Sequence, residues 1–131
     1  MENTRRWQPV EVHGDREPAS HREPGEEFLF YRAVAGGLID SVQENCSQGA
    51  FEKLEGAGRL SDDPVTNLRY HFVVATAMVT RFCVEGGMPM EEAFTLSDEY
   101  IRRMDRCANI AEIVFVHDQM SLDFAGRMRK L

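Results

Sequence analysis

Residues 63–87, DPVTNLRYHFVVATAMVTRFCVEGG, decide the fold. Asp63 is a helix N-cap residue and Pro64 suits the first helical position, where its missing N–H costs nothing. Gly86-Gly87 supplies the stop. Between them Leu68, Phe72, Ala75, Val79 and Phe82 recur at spacings of three and four. Val73, Val74, Ala77 and Met78 widen that stripe until the helix is apolar on most of its faces. Such a helix belongs in the centre of a bundle, so the expectation is a rod from Asp63 to Glu85 enclosed by its neighbours.

The flanking sequence supplies those neighbours. Downstream, Pro89 starts a helix to Asp105, with Glu91 and Glu92 in its first turn and Ala93, Leu96, Tyr100, Ile101 and Met104 as its apolar stripe. Arg102, Arg103 and Arg106 gather at its end, where cations offset the helix dipole. Asn109, with Glu112 three residues on, opens a last helix as a cap of the capping-box type. Ile113, Val116, His117, Met120, Phe124 and Met128 carry its face onward. Upstream, a helix starts at Glu26-Glu27 and runs through Phe28, Leu29, Tyr31 and Val34 to Ala35, broken by Gly36-Gly37. A second carries Leu38, Ile39, Val42 and Cys46 toward Gly49, and a short helical piece spans Phe51 to Leu54. No segment alternates polar and apolar residues for long enough to form a strand. The expected fold class is all-α, a five- to six-helix bundle over residues 26–131.

Residues 1–25 differ. They hold Pro9, Pro18 and Pro24, two of the four histidines and few aliphatic residues, and their charges nearly cancel. The expectation is a flexible arm, with Trp7, Val10 and Val12 available to anchor it on the body or a partner.

The whole chain has 131 residues, 43% hydrophobic and 28% charged, which is ordinary for one globular domain with a real core. Fifteen basic residues against 22 acidic leave a net charge of −7, which argues against gripping nucleic acid unaided. No 18-residue window lacks charge, so no membrane span is expected. The N-terminus has no apolar core of a secretory signal, and Cys46, Cys83 and Cys107 match neither a zinc set nor a CxxC pair; a cytoplasmic, reduced protein is the plain reading.

Catalytic and metal signatures are absent. His71 and Glu85 lie fourteen residues apart on one helix, about 21 Å along its axis, too far to share an ion. His117 and Asp118 are neighbours expected to point to different faces. HExxH, Glu-x-x-His, GxSxG, GxxxxGK and GxGxxG are all missing, and Cys83 has no base nearby in sequence, which leaves open a spatial partner such as His117. Neither a cofactor nor a metal is expected, and the protein is not expected to be an enzyme. The seven methionines suit an adaptable core or an apolar pocket.

One constellation stands apart: Asn67, Tyr70, His71, Thr76, Thr80 and Arg81 are polar positions on an otherwise apolar helix. A buried Arg81 needs a carboxylate, with Asp98 first and Glu85 second; an anion-binding role is the rival reading. If a pocket exists, it is expected between the Asp63–Glu85 and Pro89–Asp105 helices, with Tyr70, His71, Arg81 and Tyr100 as its ligand-binding polar contacts.

Asn67, Tyr70, Arg81, Phe82, Glu85-Gly86-Gly87, Ala93, Leu96-Ser97-Asp98, Tyr100 and Ile101, followed by Met120, Asp123, Phe124 and Met128, form a pattern across the second half of the chain. That pattern resembles the helical N-terminal regulatory domain of a group of bacterial AraC-type transcriptional regulators. Phe28 to Gly37 is similar to the group's opening helix. The resemblance implies a cytoplasmic regulatory domain that senses a small-molecule effector, forms a homodimer, or both. It also implies that DNA is contacted only through a helix-turn-helix region not present in this chain, which stops near where a linker would lead into it. It supplies no catalytic or ligand residues. The rival expectations are a stand-alone helical protein–protein interaction module without a small-molecule ligand, and an enzyme with a bundle-core site.

Overall fold

The computed structural model describes residues 6–12, 24–53 and 58–131. The described residues form six helices and no strands: α1 Pro24–Ala35, α2 Ile39–Ser47, α3 Ala50–Lys53, α4 Pro64–Glu85, α5 Met90–Asp105 and α6 Ile110–Arg129. The all-α bundle expected from the sequence is the fold. Several boundaries differ: Pro24 and Gly25, assigned above to the arm, belong to α1, α3 begins at Ala50 and not Phe51, and Leu38 and Pro89 precede α2 and α5 as their caps. Leu54, the expected end of the short helix, lies outside the described residues, as does most of the arm. Trp7, Val10 and Val12 are largely exposed and lie outside the core.

Local chemistry explains the helix ends. Asp63 accepts from the Thr66 backbone N–H at 2.9 Å and from its hydroxyl at 2.7 Å, so two donors are satisfied by one carboxylate. Asn109 accepts from the Glu112 N–H at 2.9 Å, and the Glu112 carboxylate reaches back to the Ala108 N–H at 2.6 Å. Both glycine pairs close helices in the same way. Leu38 N–H bonds to Ala33 O and Gly37 N–H to Val34 O; Met88 N–H bonds to Cys83 O and Gly87 N–H to Val84 O. Gly37 carries the positive φ of +68° that this closure needs. A Cβ there would also come within 2.8 Å of the Arg129 backbone, so the α1–α2 turn rests directly on the end of α6.

The hub of the bundle is α6 and not, as expected, α4. α6 packs against all five other helices, whereas α4 packs mainly on α5, α6 and α1. Ile113, Met120, Phe124 and Ala125 of α6 are fully buried, and they meet Val34, Val42, Leu68, Phe72 and Val79 in one core. Met88, Met104, Met120 and Met128 are among the buried residues, so core filling is the use of these four methionines.

The enclosed rod therefore needs correction. Leu68, Phe72, Ala75, Val79 and Cys83 face the core, but Tyr70 (50%), Val73 (38%) and Val74 (45%) are open to solvent. The reason is geometric. α1, α5 and α6 cover one broad side of α4; Met78 packs against that core, while Val73 and Val74 fall on the side left over.

Candidate functional site

His117, on the hub helix, is a buried imidazole, 3% exposed. Its ring lies parallel to Phe51 of α3, centroids 3.8 Å apart and planes 1° apart, with Phe30 of α1 at 5.9 Å and Phe72 of α4 at 6.4 Å. His117 Nδ1 lies 3.0 Å from Asp118 Oδ1. Sequence neighbours were expected to diverge; instead the short Asp118 side chain folds back onto the imidazole. An ionised carboxylate can only accept, so Nδ1 carries the proton and Nε2 presents a lone pair. Burial pushes the His117 pKa below its ordinary 6.5, and Asp118 opposes the shift without reversing it.

His117 forms the floor of a cleft of about 80 Å³, walled by Phe30, Tyr31 and Phe51 and edged by Glu27 and Asn45. Tyr31 donates to Glu27 Oε2 at 3.0 Å, which holds that carboxylate at the rim. No hydrogen bond to Nε2 forms among the described residues; the one side-chain polar atom among them that is buried without a partner is Thr76 Oγ1, so Nε2 is open to solvent and not sealed. Beside the cleft, burial raises the Cys46 thiol to about 12, and the charge and side-chain contact of Asp118 push the same way. That order of groups (thiol, carboxylate, imidazole) disfavours a thiolate, since the anion next to sulfur is the carboxylate and not the base. Cys83 is likewise raised to about 12 by burial, and no hydrogen bond joins it to His117. Among the described residues no three His, Cys, Asp or Glu side chains converge as a metal site.

The four residues proposed from sequence are placed separately. Tyr70 is exposed on the open face of α4. His71 Nε2 lies 2.8 Å from the Gly58 carbonyl and ties the preceding loop to the helix. Arg81 is exposed; it donates to the Ala77 carbonyl at 3.1 Å and sits 5.2 Å over the Phe94 ring, pairing with neither Asp98 nor Glu85. With its charge in water and on an aromatic face, it has no buried ion to neutralise.

Tyr100 donates to Asp123 Oδ2 at 2.5 Å. Its hydroxyl is raised to about 12, first by burial and then by Asp123. Arg127 bridges Asp123 at 2.8 Å and Glu92 at 2.9 Å, so the charges in the shallow groove around Tyr100 satisfy one another. Neither that groove nor the His117 cleft includes Tyr70, His71 or Arg81.

Two residues escaped the sequence reading. The aromatic enclosure of His117 is not legible in the sequence, because the stacking partners Phe30 and Phe51 lie far off in the chain. Arg69 donates to the Met104 carbonyl at 3.1 Å and to the Cys107 carbonyl at 2.7 Å, capping α5 from α4. A basic residue on an apolar helix was the available signal for it.

No protein-family model, curated protein or solved structure matches the chain. Among the described residues no helix is long and apolar enough to cross a membrane.

Proposed function

We propose that this chain is a regulatory domain of the kind found in AraC-type transcriptional regulators, and that two copies meet through the outward face of α4. The observation that carries the reading is the open apolar stripe Tyr70-Val73-Val74. Charge supports it. Two copies of a chain with net charge −7 repel each other, yet residues 64–84 contain Arg69 and Arg81 and no acid. The stripe is thus a place where like-charged copies can approach and bury apolar surface.

Several residues that carry the AraC-type resemblance act as ties in this bundle. Asn67 Oδ1 accepts from the Leu60 and Ser61 N–H groups, Tyr100 joins α5 to α6, and Phe124 and Met128 fill the core. Such a scaffold would hand a change in helix packing to whatever follows it, by no more than an effector's differential affinity for the two packings. A docking module with no small-molecule ligand is the second reading, favoured by the same stripe.

The test joins the chain to a DNA-binding domain that represses a reporter only as a dimer, alongside sedimentation of the isolated chain. Repression and a dimer are expected, both lost when Val73 and Val74 are changed together to Asp. These positions are solvent-exposed, so the variant keeps its fold. A wild-type chain that stays monomeric, or a variant that dimerises unchanged, overturns the reading.

A further inference from the structure

We infer that the cleft over His117 binds the head group of a small organic cation, an ammonium or guanidinium with N–H donors and a short apolar body. This deepens the regulatory reading by naming what the domain would sense; it rests on that reading for its role but not for its geometry. Three features select the class. First, two acceptors converge, the His117 Nε2 lone pair on the floor and the Glu27 carboxylate at the rim, with the Asn45 amide, both donor and acceptor, beside them. A ligand must bring donors to both, and an anion would meet Glu27 with like charge. Second, Phe30, Tyr31 and Phe51 line the same space, and aromatic faces attract a desolvated cation through their quadrupoles. Third, the size is restrictive. A cavity of 80 Å³ is about half of the roughly 150 Å³ that accommodates benzene. The enclosed part of the ligand is therefore about three or four non-hydrogen atoms, the size of a guanidinium or an ethylammonium, with any longer body leaving through the mouth.

His117 is a built acceptor and not a surface accident. It is held by Asp118 on one nitrogen and by the Phe51 ring on its face, with almost no exposure to water. The site also touches five elements at once: α1 through Glu27, Phe30 and Tyr31, α2 through Asn45, α3 through Phe51, α4 through Ala75 and α6 through His117. Occupancy would draw α1, α2 and α3 onto the hub helix.

The experiment follows the His117 ring nitrogens by NMR while methylguanidinium or ethylammonium chloride is added to the intact chain, with sodium acetate and propanol as controls. The expected result is a saturable shift of the Nε2 signal with both cations and none with acetate or propanol. Glu27→Gln keeps the shape of the rim and an acceptor for Tyr31, so it preserves the fold, and it should weaken cation binding about tenfold or more. No saturable shift in the wild-type chain, an equal response to acetate, or cation binding unchanged in Glu27→Gln overturns the assignment. The outcome is separable from the assembly test. A chain that binds cations yet stays monomeric loses the α4 reading alone, and one that dimerises without binding them loses the cleft alone.

Discussion

Arg69 of α4 donates from Nη2 to the Cys107 carbonyl at 2.7 Å, thirty-eight residues away, and from Nη1 to the Met104 carbonyl at 3.1 Å. Met104 lies in the last turn of α5, where its carbonyl also accepts from the Cys107 N–H, and Cys107 lies just past the helix end, where carbonyls lack intrahelical donors. One guanidinium thus terminates a helix from the side, and it does so where the dipole favours a cation. Replacing Arg69 by Met keeps the apolar stem and removes the donors. The expected loss is about 1–2 kcal/mol, read as a lower urea midpoint with an unchanged slope. A midpoint equal to that of the wild type would show that water caps α5 as well as Arg69 does.

Gly37 and Gly49 share nearly the same backbone angle, φ +68° and +67°, but not the same surroundings. A Cβ at Gly37 would lie 2.8 Å from the Arg129 Cα and N, whereas one at Gly49 would meet nothing within 4 Å. Gly49→Ala is expected to cost about 1 kcal/mol, the strain of a left-handed alanine alone. Gly37→Ala should cost at least about 2 kcal/mol, because the α1–α2 turn must also move off α6. Equal losses in thermal or urea unfolding would mean that the close approach to Arg129 relaxes freely.

The buried imidazole makes stability depend on pH with a definite sign. The His117 pKa lies below 6.5 in the folded chain, chiefly from desolvation, while the unfolded histidine keeps its ordinary value. As pH falls through 6.5 the unfolded chain binds a proton that the folded one refuses, so stability drops. The drop continues until pH passes below the lowered folded value, where both states are protonated and it levels off. Unfolding midpoints at pH 7.5 and 5.5 should fall more for the wild-type chain than for His117→Phe, which keeps an aromatic ring against Phe51. Parallel changes in the two proteins would show that other groups control the acid response.

Much of the architecture was legible because helix ends are local chemistry. Asp63 with Pro64, Asn109 with Glu112, and the pairs Gly36-Gly37 and Gly86-Gly87 act through partners within a few residues, so their effect can be read without knowing the fold. The site was much less legible. Tyr100 meets Asp123 across two helices, Arg81 takes an aromatic face in place of a carboxylate, and His117 finds Phe30 and Phe51 from far upstream. Periodicity says that a residue lies on an apolar face; it does not say which side chain will stand opposite.

The amino-acid order by itself determined the helices, their termini and the absence of strand patterning, since capping, glycine freedom and the 3.6-residue period are properties of short segments. Tertiary structure alone decided which helix is enclosed. α4 is apolar on more sides than its neighbours cover, so Tyr70, Val73 and Val74 are left facing water, while α6 touches every other helix and buries His117. Burial is a property of the assembled neighbours and not of the helix. Hydrophobicity sets what a face would gain from being covered, and packing geometry settles which faces are covered.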